Sequence, residues 1–459
     1  MNYKKHLIRI NMQKKTWLRD VRYLFVLSSP IIITQLARTA MSAVDVIMSG
    51  HYSTNDLAAV SLGSSIWFPI FILGYGVIIM LSADVAEHRS NNDIEGIKES
   101  TNNYISASLI LSIPIIIFLL SAVKILSFIG VDETVVNITE GYITAMAFGV
   151  PGVMIFNVFR SLLQGLEDTK VAMYISSLSF VINIPLNYAF IFGKFGMPEM
   201  GGVGAGITTA VVNTLSAVLL VGYFLYKKEY SKYKFKLSLI FNEKLKNVFA
   251  VGIPSGLAFF IEMIFLDIIA FGIATLGPVH IAANNILFII SAILFTVCGG
   301  FCSATTVKIS YLNAKKDIQS TLRFGILASV IVALISFILC AVFYLHAEFI
   351  ISLYTNDILV INTAVGIALF LCIFHFFDAI QSIVSGIFRG LHETKIVFYV
   401  PILGYWFVGI PLGFALGLTD LITERMGLIG FWYGLVFGLI INAITLSMIL
   451  KMKFKKLAA

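Results

Sequence analysis

Residues 164–190 read QGLEDTKVAMYISSLSFVINIPLNYAF, and residues 389–416 read RGLHETKIVFYVPILGYWFVGIPLGFAL. Each runs from a Gly-Leu turn with one or two acids and Thr-Lys, through an apolar stretch, to Ile-Pro-Leu, about 225 residues apart. Other landmarks keep that spacing. Pro30 answers Pro254, LAAVSL (57–62) answers IAANNI (281–286), Asp93-Ile94 answers Asp317-Ile318, and GGVGAG (201–206) answers GLIGFW (427–432). Turn residues recurring at one spacing mark a tandem duplication, and this one covers essentially the whole chain.

Composition sets the solvent. Of 459 residues, 58% are hydrophobic and 12% charged, with mean hydropathy +0.93. Soluble domains carry about twice that share of charge. The chain is expected to be an all-α polytopic membrane protein, because a helix satisfies its own backbone in lipid. A crossing needs about 20 apolar residues. Twelve segments qualify: 23–50, 57–83, 103–129, 137–159, 171–193, 203–226, 246–272, 281–307, 322–346, 360–387, 396–418 and 428–450. Six spans return the chain to its starting side, so both copies share one orientation. The expectation is two parallel six-helix bundles, related by a pseudo-two-fold axis along the membrane normal as in parallel-repeat transporters. The domains follow: a basic tail 1–22, a first lobe 23–226, a basic linker 227–245, a second lobe 246–452 and a tail 453–459.

Charge orients the spans. With the N-terminus inside, the tails, the loops after even-numbered spans and the span ends bordering them hold 28 of the 32 Lys and Arg residues; the exceptions are Lys124, Lys194, Arg425 and, within the first span, Arg38. Both termini are therefore expected in the cytoplasm. The net charge of +7 needs no nucleic acid and reads as solvated anchors beside the bilayer. The first 22 residues are basic and polar, so no cleaved leader is expected. Cys298, Cys302, Cys340 and Cys372 all fall in apolar segments, and are read as small buried residues in preference to a disulfide framework or a metal site. No catalytic triad, metal-ligand cluster or phosphate loop stands out, so neither an enzyme nor a resident cofactor is expected.

An ionisable side chain near the bilayer centre costs about 2.5–3.5 kcal/mol or more, so each one is a functional candidate unless it is paired. Asp45 sits in span 1, with Arg38 seven residues earlier on nearly the same face, about 10.5 Å along the axis. A structural Arg38–Asp45 ion pair and an ion or proton site both remain open there. Glu262, in FFIEMIFLDIIAF (259–271), and Asp378 lie deep in spans 7 and 10, with no basic residue within two turns. They are read as sites for a cation, a proton or a cationic substrate. Asp267 lies about 140° round the helix from Glu262 and reads as rim. Asn183 and Asn187 share one face of span 5, and Thr208 or Thr209 in span 6 offers a hydroxyl. Amide oxygens, a carboxylate and a hydroxyl suit a hard cation such as Na⁺. The second copy has Gly409 and Gly413 at the asparagine positions. His375, three residues before Asp378, reads as a hydrogen bonder between helices or a proton carrier.

These features together resemble the multidrug and toxic compound extrusion (MATE) family: VDVIMSG around Asp45, GLEDTK, NIPLNYAFIFGKFG and GVGAGITTA, in that order from about residue 20 to 452. The pair Glu262 and Asp378 points to the bacterial NorM-type branch. The resemblance implies a monomeric antiporter of the bacterial inner membrane, exporting organic cations as Na⁺ or H⁺ enters. It implies cation coupling at Glu262 and Asp378 in the second lobe. It also implies a cation site at Asp45, Asn183, Asn187 and Thr209 in the first; Arg38 and His375, read from their own positions, are candidate accessory groups. Two positions depart from some relatives: Asn187 stands where some have an aspartate, and Phe374 where some have a tyrosine. The alternative is a flippase of the same superfamily moving a lipid-linked head group, a task that favours basic residues within the spans.

Overall fold

A computed structural model describes the backbone at 2–128, 131–233 and 242–458, and side chains at 17–124, 126, 131–233 and 242–456. The expected tails and linker thus lie partly outside the described residues. Among those described, twelve helices are long and apolar enough to cross a membrane. They are α1 (Asn2–Tyr52, its span beginning at Trp17), α2 (Thr54–Ser90), α3 (Ile94–Lys124), α4 (Glu133–Gly165), α5 (Lys170–Phe192), α6 (Gly201–Tyr226), α7 (Glu243–Ala274), α8 (Pro278–Ala314), α9 (Ile318–Leu345), α10 (Ile358–Gly390), α11 (Thr394–Leu418) and α12 (Leu428–Lys456). The twelve spans fall on them one for one. Helices overrun the apolar segments: the segment expected as an N-terminal tail continues into α1, and α4 reaches past the expected end at 159 to take in Arg160. α11 contains a π-helical stretch, Ile402–Gly409, ahead of Pro411.

The duplication persists in the turns. Asp93 accepts the Gly96 N–H at 2.9 Å to start α3, and Asp317 accepts the Ser320 N–H at 3.0 Å to start α9. These backbone donors hold both carboxyls below the usual range. Asp132 and Asp357 cap α4 and α10 by accepting N–H groups two residues on, both at 2.9 Å. Asn92 and Lys316, and likewise Glu167 and His392, adopt left-handed backbone at matching positions. The Met200 N–H donates to Phe190 O at 3.0 Å, and the Met426 N–H to Leu416 O at 2.9 Å.

Two compact units emerge, and their border differs from the repeat border. One is Ile33–Met263; the other is Ile264–Ala459 with the N-terminal segment up to Ile32. Relative to lobes at 23–226 and 246–452, the first halves of α1 and α7 change places. Close backbone packing accounts for this. In the first unit a Cβ on Gly76 of α2 would fall well inside contact with the Gly256 Cα of α7, and one on Gly252 would lie 2.6 Å from Val77 Cγ1. In the second, a Cβ on Gly300 of α8 would collide with Ile32 of α1. Gly76 and Gly300 occupy the same place in the two repeats, as do Ile32 and Gly256. Small residues let helix axes approach where lipid supplies no hydrophobic drive.

Ion pairs secure the same exchange. Arg323 donates to Asp20 at 3.0 Å in the second unit, and Lys244 pairs with Glu99 in the first. Asp20 and Lys244 are repeat partners, and so are Glu99 and Arg323. The pair is built twice with its signs reversed. In the unexchanged pairing, Asp20 would meet Glu99 and Lys244 would meet Arg323, like against like. Arg323→Glu should lower the recovery of folded protein more than Lys244→Glu. The Asp20 side chain is only 6% exposed, whereas the Lys244 pair is exposed, where such pairs contribute about 0–1 kcal/mol. Adding Asp20→Lys to Arg323→Glu should restore the monodisperse peak on size exclusion; a double variant as poor as the single would show that the pair selects nothing.

Aromatic packing closes each core. In the first unit Phe159 meets Phe224 edge-on at 5.5 Å, and Tyr230 stacks on Phe224 at 5.1 Å. The Tyr230 hydroxyl donates to Asp168, which also pairs with Lys227 at 3.3 Å. The start of the expected linker is therefore a docked 3₁₀ turn, Lys228–Tyr233, while 234–241 lie outside the described residues. In the second unit the buried Trp432 meets Phe374 edge-on at 6.1 Å, and Phe265 stacks on Tyr405 at 4.4 Å.

Candidate cation site

Three helices of the first unit converge on Asp45, which is 3% exposed. α5 and α6 are drawn together by Gly204, whose Cβ would lie 2.6 Å from the Phe190 carbonyl, and by a Ser179–Ser216 hydroxyl contact at 2.7 Å. α5 stays helical through Pro185, so Asn183 and Asn187 keep one face. Asn187 Nδ2 donates to Asp45 Oδ1 at 2.6 Å and Asn183 Nδ2 to the same oxygen at 3.3 Å. Thr209 Oγ1 donates to Oδ2 at 2.5 Å, and Asn187 Nδ2 also reaches Asn183 Oδ1 at 3.1 Å. Thr208, the other candidate hydroxyl, is buried without a hydrogen bond among the described residues. Tyr142 lies within electrostatic range of Asp45, its hydroxyl 3.3 Å from Ser64 Oγ. Nothing sets it apart in sequence among 18 tyrosines.

Of the two alternatives open for Asp45, the Arg38–Asp45 ion pair does not form among the described residues. Arg38 lies over the Phe156 ring, 5.2 Å from its centroid. Its neighbours are Arg160 and Tyr75. A guanidinium finds an aromatic face near its own turn, while Asp45, two turns on, is already saturated by amide and hydroxyl donors. Asn187 Oδ1 has no partner among the described residues. Rotating the two amides would turn two more oxygens toward Asp45, completing a hard, all-oxygen donor set around one formal charge. That composition matches a monovalent cation, with a proton on the carboxylate as the simpler occupant. Among the described residues no group of three or more His, Cys, Asp and Glu assembles.

At the matching positions the second repeat places Ile269, Gly409, Gly413 and Leu435. Ile269 and Leu435 are fully buried. A Cβ on Gly409 would meet the Phe265 ring at 2.8 Å, and one on Gly413 would meet Ile269 Cδ1 at 3.1 Å. Hydrocarbon fills the place that polar groups occupy in the first repeat.

Glu262 and Asp378 belong to different units. Glu262 is half-buried on the part of α7 that packs in the first unit, and is the repeat partner of Arg38. Asp378 is 4% exposed on α10, within electrostatic range of Cys298 and Cys302. His375 is fully buried, with Nε2 3.8 Å from Cys298 Sγ and its carbonyl accepting from Ser336 at 3.4 Å. Asp267 is exposed. All four cysteines are free and buried.

A family model described as MatE matches residues 30–189 and again 254–415, so each half matches on its own, opening at Pro30 and Pro254. The probable multidrug resistance protein NorM of Photorhabdus laumondii subsp. laumondii is 56% identical over 436 residues, covering 95% of this chain and 96% of that one. A crystal structure of the eukaryotic MATE transporter AtDTX14 superposes with a TM-score of 0.88 at 21% identity, over 96% of this chain and 98% of its own. An outward-facing multidrug resistance MATE family transporter of the MOP superfamily gives 0.86 at 21% identity, over 96% and 97%. A MOP superfamily transporter from Pyrococcus furiosus gives 0.85 at 22%, over 96% and 97%. The solved structures share the fold, and the family match in both halves together with the extent of the NorM likeness carries the assignment: the chain belongs to the MatE family of transporters, in its NorM-type branch.

Proposed function

We propose that this chain is a secondary active antiporter of the bacterial cytoplasmic membrane. It exports organic, mainly cationic and amphipathic compounds while Na⁺ or H⁺ enters, and both termini face the cytoplasm. The relative named for multidrug resistance supports the substrate class. One observation carries the coupling: Asp45 is buried in a membrane span among amide and hydroxyl groups, with no cationic side chain on it among the described residues. A carboxylate kept there at the cost of its hydration is explained by visits of positive charge.

The chemistry is competition between ligands that bind two states unequally, for without that inequality nothing is coupled. In one state the ionised acids favour a cationic drug. In the other, Na⁺ or H⁺ occupies the acids and the drug leaves. Inward movement of one charge contributes about 2.3 kcal/mol per 100 mV of membrane potential. Glu262 and Asp378 act in the same way in our reading, each from its own helix. Their amide variants, Glu262→Gln and Asp378→Asn, should each slow ion-driven efflux about tenfold while the protein stays in the membrane.

The decisive measurement is efflux of a fluorescent organic cation from proteoliposomes, with sodium and pH gradients imposed separately. Uphill efflux under either gradient supports antiport and names the ion. A dye that equilibrates under both gradients but never accumulates against its own refutes it. Wild-type rates in both amide variants would remove Glu262 and Asp378 from the coupling path.

A further inference from the structure

We propose that Arg38 and Arg160 form an oxyanion-binding subsite in the first unit, taking a carboxylate or phosphate group. The proposal deepens the export reading above and rests on it. Arg160 lies in α4, 3% exposed, with one terminal nitrogen donating to the Tyr75 hydroxyl at 2.6 Å and the other to Gln35 Oε1 at 3.2 Å. Its Nε is buried with no acceptor among the described residues. Arg38 lies over Phe156 and within electrostatic range of Arg160. Among the described residues neither arginine forms an ion pair.

Two guanidinium groups within electrostatic range of one another in a nonpolar setting repel, and the Phe156 and Tyr75 ring faces offset only part of a desolvation cost that an opposite charge would offset further. The neutral partners present, a phenol and an amide, orient Arg160 and leave its charge uncancelled. Guanidinium donors are forked to suit the paired oxygens of a carboxylate or phosphate. The missing counter-charge therefore belongs to a ligand. Asp45 stands two turns along α1 from Arg38, about 10.5 Å, and is held by Asn183, Asn187 and Thr209, away from the arginines. The unit thus presents a carboxylate and a guanidinium pair at separate levels, which fits a compound carrying a cationic and an anionic end. A phospholipid phosphate satisfies the same donors, so the source of the oxyanion has to be decided by experiment.

The probes are tetramethylrhodamine, which has a free carboxylate, and its methyl ester, which lacks that charge and is otherwise alike. Binding of each to the full-length protein is read by fluorescence anisotropy in phosphatidylcholine nanodiscs, with and without phosphatidylglycerol. The wild type should prefer the acid, and the ester-to-acid ratio of Kd should fall about tenfold in Arg38→Gln and in Arg160→Gln, with partial recovery in Arg160→Lys. Should Arg160→Gln fail to fold, the half-buried Arg38→Gln gives the same readout. If the ratio holds but phosphatidylglycerol weakens acid binding in the wild type and not in the variants, the subsite stands with a lipid phosphate as its occupant. If neither the ratio nor the lipid response changes in either variant, the arginines only hold helices together and the subsite is wrong. Efflux of the ester from wild-type proteoliposomes reports separately: its absence removes the export reading, and an unchanged ratio with efflux intact removes this inference alone.

Discussion

Asp45→Asn should reduce ion-driven efflux a hundredfold or more while leaving the protein folded. The substitution keeps the volume and removes the only formal charge among the four groups of the candidate cation site. A hundredfold loss corresponds to about 2.8 kcal/mol of differential binding, a modest demand for deleting the carboxylate of the proposed cation site. Folding should survive because the neighbours adapt: the amides of Asn183 and Asn187 can rotate to present oxygens to the new Nδ2. Thr209→Val, which removes one neutral donor, should lose about tenfold. Asp45→Glu keeps the charge on a longer arm and should fall between. The series is measured as initial efflux rates in proteoliposomes at matched protein density. An Asp45→Asn protein that pumps at the wild-type rate would place coupling elsewhere in the molecule.

What the sequence made legible follows the range of its signals. Spans and repeat announce themselves through apolar run length and turn residues, which act over a few positions. The three turn pairs opened by Asp93 and Asp317, Asp132 and Asp357, and Glu167 and His392 still agree in geometry after most side chains have diverged. Asn183 and Asn187 stood out because two amides at one-turn spacing in an apolar helix have few other reasons to be there, and the fold sets them beside Asp45 and Thr209. Arg160 escaped notice because the apolar run stops at Phe159 while the helix continues to Gly165. Its burial depends on Tyr75 and Gln35, far away in the chain. The exchange of the first halves of α1 and α7 was invisible for the same reason. Gly76 and Gly256 carry no periodic signature, and the sign reversal of Asp20–Arg323 and Lys244–Glu99 has meaning only once it is known which residues meet.

That exchange makes a second strong expectation. Gly76→Ala should destabilise the protein severely, because the new methyl would stand against the Gly256 Cα, and Gly256→Ala should do the same against the Leu73 carbonyl oxygen. The obstacle in both cases is backbone, so no change of rotamer relieves it and α2 and α7 must separate. Overpacking costs about 1–3 kcal/mol and sometimes more; a contact between two main chains belongs at the upper end. The matching change in the second unit, Gly300→Ala, meets the Ile32 side chain, which can shift, so its penalty should be smaller. Gly222→Ala in α6 has nothing within 4 Å and should gain about 0.5–1 kcal/mol from helix propensity. Heated aliquots run on fluorescence-detected size exclusion should therefore lose their folded peak first for Gly76→Ala and Gly256→Ala together, then for Gly300→Ala, then for the wild type, and last for Gly222→Ala. A Gly76→Ala protein as stable as the wild type would mean that α2 and α7 do not meet backbone to backbone. The first half of α7 would then be held in the first unit by Gly252 against Val77, by Leu245 and Val248 in the core and by Lys244–Glu99.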